Sequence, residues 1–191
     1  DDISTNHLHI SRYRMQSKVI LTVTCGLILI PSIYFYFFEF AQAPLKERLL
    51  LSFFQAVTPR TAGFNTADLN AMSESGQSII TVLMLVGGSP GSTAGGMKIT
   101  TLAVLLANAM AVFRRSEFPH FFNRRIARET VSQAATIFMM YLTLPLAGGL
   151  IISRLEEQPI LDCLFETASA IGTVGLSLGL TPQLQTASHL I

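Results

Sequence analysis

The sequence predicts an all-α integral membrane fold built from tandem repeats, each made of a membrane span, a short helix and a second span. Three observations carry this. Of the 191 residues, 50% are hydrophobic and 13% are charged, about half the charge of an ordinary soluble domain. Residues 19–38 and 130–153 are charge-free, and each is long enough as a helix to cross a hydrocarbon core of ~30 Å. The chain also matches itself when shifted by 112 positions, residues 19–40 falling on 131–152 and residues 46–58 on 158–170.

The elements follow in order. Residues 1–18 form a basic lead-in carrying Arg12, Arg14 and Lys18. The first unit occupies 19–113, with a span at 19–40. Pro31 inside that span is tolerated in lipid, where neighbouring helices satisfy the freed backbone. Residues 46–58 are apolar but too short to span, which suits a re-entrant helix. Residues 75–113 hold one charge, Lys98, and are too long for a single span. Their middle reads Gly87-Gly88-Ser89-Pro90-Gly91-Ser92-Thr93-Ala94-Gly95-Gly96. So many glycines and a proline break a helix, predicting two helical pieces joined by a loop at membrane depth. Such backbone survives there only where protein covers it or water reaches it.

Residues 114–129 form a loop rich in arginine: Arg114, Arg115, Arg124, Arg125 and Arg128. With the basic lead-in it is expected on the cytoplasmic side. The second unit, 130–191, is incomplete: a span at 130–153, a short helix at 158–170 and a loop at 172–177. Pro159 suits the first helical turn, and Glu156 and Glu157 suit its positive dipole end. The chain opens on Asp1-Asp2 and stops at Ile191, which reads as a piece of a longer protein.

The repeat places chemistry. Thr61-Ala62-Gly63-Phe64 aligns without a gap on Thr173-Val174-Gly175-Leu176, each following a short helix. A short helix entering from outside ends with its carbonyl pole deep in the membrane, which favours a cation. The chain then returns outward, and Gly63 and Gly175 permit backbone angles that aim carbonyl oxygens at an axis. A ring of such carbonyls replaces the hydration shell of a potassium-sized ion. Thr61 and Thr173 add oxygens at the inner end. The units thus read as potassium-channel-like pore repeats, with pore helices at 46–58 and 158–170. The expected filters lie at 60–65 and 172–177, and two of four walls are visible.

Other classes fit less well. A net charge of +1 gives no footing for nucleic acid. Cys25 and Cys163 lie 138 positions apart and suggest neither a disulfide framework nor a metal site. A phosphate-binding P-loop needs lysine immediately after its last glycine, then Ser or Thr. Here Gly96 is followed by Met97, Lys98 and Ile99, so no nucleotide is expected on this chain. A membrane enzyme would draw on Asp162, Glu166, His120 and His189, which lack metal-ligand spacing. Asp162 and Glu166 share one face of the second short helix. Their expected role is to hold helix to filter, with Arg60 as a candidate partner; Arg60 alternatively repels cations at the inner filter edge. A secondary ion transporter with a midplane site also accommodates a broken helix, but paired re-entrant helices fit a pore better.

Three motifs resemble a known family. They are Thr58-Pro59-Arg60-Thr61-Ala62-Gly63-Phe64-Asn65-Thr66, the segment from Gly87 to Lys98, and Gly172-Thr173-Val174-Gly175-Leu176-Ser177. Together they resemble the Trk/Ktr/HKT superfamily of potassium transporters, and most closely the bacterial Ktr-type membrane subunit. The resemblance implies four pore repeats around one pore in the cell membrane, this chain matching the third and most of the fourth. It implies K⁺ as the transported ion, bound at filter backbone carbonyls, with Na⁺ dependence. It implies one selectivity glycine per filter, at Gly63 and Gly175 here, and an intramembrane gate loop over residues 87–96, ended by Lys98. Its implied partners are the lipid bilayer, a second copy of the full-length chain and a cytosolic ring of nucleotide-binding regulatory subunits.

Overall fold

The computed structural model describes residues 15–116, 118–121 and 124–184. Helix α1 (Met15–Tyr34) widens into a π-helical turn at Phe35–Glu39. Helices α2 (Leu45–Val57), α3 (Glu74–Leu85) and α4 (Ile99–Phe113) follow, then α5 (Arg128–Glu156) and α6 (Ile160–Ile171). Helices over Gln16–Glu39 and Arg128–Glu156 are long and apolar enough to cross a bilayer. They present bare apolar side chains, among them Leu29, Ile30, Phe38, Leu144 and Leu150, as lipid-facing helices do, having no solvent stripe to form.

Each long helix carries a shorter one against it, α2 on α1 and α6 on α5. On α2, the Arg48 guanidinium lies over the Tyr36 ring at 3.9 Å and its Nε donates to the Tyr36 carbonyl at 2.7 Å, fastening α2 to the π-turn. On α6, the Thr167 hydroxyl donates to the Pro145 carbonyl of α5 at 3.1 Å. Gly149 lets α5 and α6 close, since a Cβ there would stand 2.7 Å from Leu164 Cδ2. Helix α3 packs against α6, and α4 against both α1 and α5, so the two repeats share one core. It joins Phe35, Ala56, Ile80, Met84, Phe165 and Val174.

The span of residues 75–113 is interrupted over a longer stretch than the glycine run, from Val86 to Lys98. Its base is pinched shut. Val86 pairs with Met97, the Gly87 N–H donates to the Met97 carbonyl at 2.8 Å, and the Met97 N–H donates to the Leu85 carbonyl at 2.8 Å. Only glycine fits at Gly87, where a Cβ would come within 1.9 Å of the Gly95 carbonyl oxygen. The basic loop contains a short antiparallel pair, β1 (His120–Phe121) and β2 (Arg124–Arg125). The Phe118 ring lies beneath the Arg125 and Arg128 guanidinium groups at 4.8 and 5.7 Å. His120 belongs to this pair; Arg12, Arg14 and His189 lie outside the described residues.

Candidate functional site

The two Thr-x-Gly segments follow α2 and α6 and share one unusual backbone. Thr61 and Gly63 have φ of 68° and 69°; Thr173 and Gly175 have φ of 53° and 88°. Left-handed φ at a β-branched residue is a genuine outlier and costs ~1–3 kcal/mol. Here it recurs at both threonines, 112 positions apart in sequence. Left-handed residues alternate with Ala62 and Val174, which lack positive φ. Alternation of this kind departs from the regular zigzag of a strand.

Side chains sort accordingly. In the second segment Gly172, Val174 and Leu176 are buried while Thr173 and Gly175 are exposed. Val174 and Leu176 belong to the core that includes α3, which leaves Thr173 and Gly175 on the open side. There a cavity of about 510 Å³ is lined by Ser169, Thr173, Gly175, Ser177 and Thr181 among others. The first segment approaches from beside it: a Cβ on Gly63 would stand 2.0 Å from the Val174 carbonyl oxygen. Gly175 has nothing within 4 Å of its Cβ position. Ala62 and Phe64 of the first segment are exposed.

Each segment has its own brace. Behind the first, the Thr58 hydroxyl donates to the Phe64 carbonyl at 2.5 Å, and the Thr58 carbonyl accepts from the N–H groups of Ala62 and Gly63. Behind the second, the buried Glu166 carboxylate accepts from the Ser177 hydroxyl at 2.7 Å, the Leu178 N–H at 2.9 Å and the Thr181 hydroxyl. Glu166 thus holds α6 to the chain beyond Gly175, as an acid in an apolar helix suggested. Among the described residues Arg60 is not one of its partners, and the buried Arg60 Nε has no hydrogen bond. Asp162, one turn earlier, stays half-exposed.

The glycine-rich loop meets the second segment. The Gly95 N–H donates to Thr173 Oγ1 at 3.1 Å. A Cβ on Gly95 would stand 2.1 Å from that oxygen and 2.8 Å from the Gly172 carbonyl oxygen, so the loop backbone lies directly against the start of the segment. Lys98, which ends the loop, folds back on it. Its Nζ donates to the carbonyls of Ser92 at 3.1 Å and Ala94 at 2.5 Å. Three features had no signal in the sequence: the Thr58 brace, the Thr173–Gly95 bond and the fully buried Gln55, whose amide has no partner. Among the described residues no cluster of His, Cys, Asp or Glu could hold a metal ion. The site's donors are backbone carbonyls and hydroxyls, which suit an alkali cation.

Known cation transporters resemble this chain in sequence and in fold. The chain is similar to the potassium/sodium uptake protein NtpJ of Enterococcus hirae, 38% identical over all of this chain and 44% of that protein. It is similar to the Ktr system potassium uptake protein B of Bacillus subtilis, 35% identical over 94% of this chain and 42% of that protein. It therefore spans less than half the length of these relatives. Its fold matches the crystal structure of the potassium transporter TrkH from Vibrio parahaemolyticus with a TM-score of 0.70, covering 86% of this chain and 36% of that one at 18% identity. Both sequence relatives are named as transport proteins. The family described as TrkH, cation transport protein, matches residues 11–191, and the chain belongs to it as part of a multi-pass membrane protein.

Proposed function

We propose that the full-length protein carries K⁺ into the cell through a filter lined by backbone carbonyls, with the glycine-rich loop as its gate. Residues 61–64 and 172–176 form two of the filter's four walls. The observation that carries this is the recurrence of left-handed φ at Thr61, Gly63, Thr173 and Gly175, with the Val174 carbonyl oxygen aimed at Gly63. Strained backbone repeated in register suits a run of carbonyl oxygens that replaces an ion's water shell. The names of the relatives, potassium/sodium uptake and Ktr system potassium uptake, support K⁺ as cargo; Na⁺ dependence is part of the same proposal.

In this reading the pore helices enter from outside, so Thr61 and Thr173 stand at the inner ends of their walls. The loop between Val86 and Lys98 then lies between filter and cytosol, where it obstructs the path without a large side chain. The basic segment 114–128 faces the cytosol and offers its arginines to a regulatory ring, and the full-length chain pairs with a second copy. The test is uptake of Rb⁺, a K⁺ surrogate, by cells lacking their own K⁺ uptake and expressing the full-length gene. Deleting residues within 89–94 should raise the rate and leave K⁺ preference intact. A folded deletion variant that transports no faster than the parent rejects the gate.

A further inference from the structure

The contact between loop and filter wall passes through one side chain. Thr173 is exposed on the open side of its segment, and its hydroxyl oxygen accepts the Gly95 N–H across 78 positions of sequence. The neighbouring Gly172 carbonyl oxygen is covered by the same stretch of loop, since a Cβ on Gly95 would lie 2.8 Å from it. The loop is preorganised to make this contact. Lys98 Nζ ties the carbonyls of Ser92 and Ala94 together, the Ala94 N–H donates to Ser92 Oγ at 3.0 Å, and the pinched base holds Gly87 beside Gly95. The first wall has no equivalent bond: no loop donor reaches Thr61 among the described hydrogen bonds. Among the described residues the loop is therefore attached to the second of these two walls and not to the first.

We propose that Thr173 is a positioning residue that latches the loop shut. Its hydroxyl holds the Gly95 backbone over the Thr173 oxygen and the Gly172 carbonyl, and release uncovers both oxygens for a monovalent cation. This rests on the filter-and-gate reading above and adds the switch that joins them. An N–H pointing at Oγ1 occupies one of its two lone pairs and sets a positive dipole end where a cation would approach. Inner-site occupancy and loop closure therefore oppose each other. A cation bound at Thr173 favours the open loop, as any ligand with differential affinity for two states must. The loop senses an ion at the filter without any nucleotide or acidic group on this chain.

The test uses the full-length protein in cells lacking K⁺ uptake, with Thr93→Cys, at an exposed position of the loop, as a reporter labelled from the cytosolic side. Thr173→Val keeps the β-branched shape and removes the hydroxyl; Thr173→Ser keeps the hydroxyl. Gly95→Ala attacks the same contact from the loop, its Cβ displacing the loop from Thr173 Oγ1, and leaves the sequence of the filter wall unaltered. Thr173→Val and Gly95→Ala should each raise labelling rate and Rb⁺ uptake roughly two- to tenfold, the shift expected for one lost hydrogen bond. Thr173→Ser keeps the latch hydroxyl and should be labelled at the parent's rate. The double variant carrying both Thr173→Val and Gly95→Ala should add little to either alone, because both remove one interaction. Raised external K⁺ should speed labelling of the parent more than of Gly95→Ala. Parent-like labelling and uptake in Gly95→Ala overturn the latch even if Thr173→Val fails to reach the membrane. If deletion within 89–94 speeds uptake while both point variants do not, the gate stands and the latch falls. If none speeds uptake, the gate reading itself has failed.

Discussion

Gly63 and Gly175, the two glycines of the proposed filter, are not equivalent, and the difference is measurable. Both have left-handed φ, 69° at Gly63 and 88° at Gly175, so an alanine at either position bears a backbone cost of ~1–2 kcal/mol. At Gly175 that is the whole local cost, because its Cβ position is open. At Gly63 the new Cβ stands 2.0 Å from the Val174 carbonyl oxygen, against 3.4 Å for ordinary contact. The oxygen must retreat by about 1.4 Å, the difference of those distances. Overpacking of this kind adds ~1–3 kcal/mol. A binding geometry tolerates displacements of only ~0.5 Å, so a carbonyl moved so far no longer serves the ion. Gly63→Ala should therefore cost ~2–5 kcal/mol in all and lose K⁺ over Na⁺ preference; Gly175→Ala should cost less and weaken preference less. Denaturation of the purified full-length variants in detergent gives the first comparison, and competition of Na⁺ with Rb⁺ uptake gives the second. Equal stability of the two variants, or parent-like preference in Gly63→Ala at normal membrane levels, would refute the reasoning.

Three further outcomes are expected. Glu166→Gln keeps the side-chain shape but turns an amide NH₂ toward donors now served by a carboxylate, so unfolding should become easier by ~1–3 kcal/mol; an unchanged denaturation midpoint counts against the brace. Lys98→Met withdraws the ammonium from the Ser92 and Ala94 carbonyls, and the loosened loop should raise Rb⁺ uptake roughly two- to tenfold, whereas a parent-like rate means the lysine does not stiffen it. Ala43→Cys should react with an impermeant thiol reagent from outside and Ser116→Cys from inside; labelling of both from one side removes the proposed topology.

Much of the helical framework was legible because the bilayer leaves a blunt signal. Charge is expelled from long stretches, so α1 and α5 stand out, and the shift of 112 positions singles out α2 and α6 although neither is long enough to announce itself. Glu166 was legible as a brace because an acid in an apolar helix needs partners. Its actual partners were not, since Ser177 and Thr181 lie beyond the loop and ordinary turn chemistry would explain them equally well. The left-handed threonines were illegible for a stronger reason: propensity argues against them, and only the surrounding structure overrides it. The Thr173–Gly95 bond joins residues 78 positions apart, and nothing in either local sequence specifies the other.

The repeat becomes more informative where it diverges. At the position of Glu166 the first repeat has Phe54, and where the first has Thr58 the second has Ala170. The first Thr-x-Gly segment, a wall of the proposed filter, is held by a hydroxyl at the end of α2, bonded to the Phe64 carbonyl. The second is held by a carboxylate one turn further back, bonded beyond the glycine. The buried side of the second wall is packed by Val174 and Leu176, whereas Ala62 and Phe64 of the first are exposed. Different supports and different packing nevertheless impose left-handed φ at the same two positions of each wall. If packing alone had produced that backbone, it would have changed when the packing changed. Each strained threonine costs ~1–3 kcal/mol, a large share of the margin by which a protein is stable. A conformation that is expensive, recurs in register and is reached by two separate sets of contacts is best explained by what its carbonyls do together. Two tight turns would need no such agreement; two walls of one filter would.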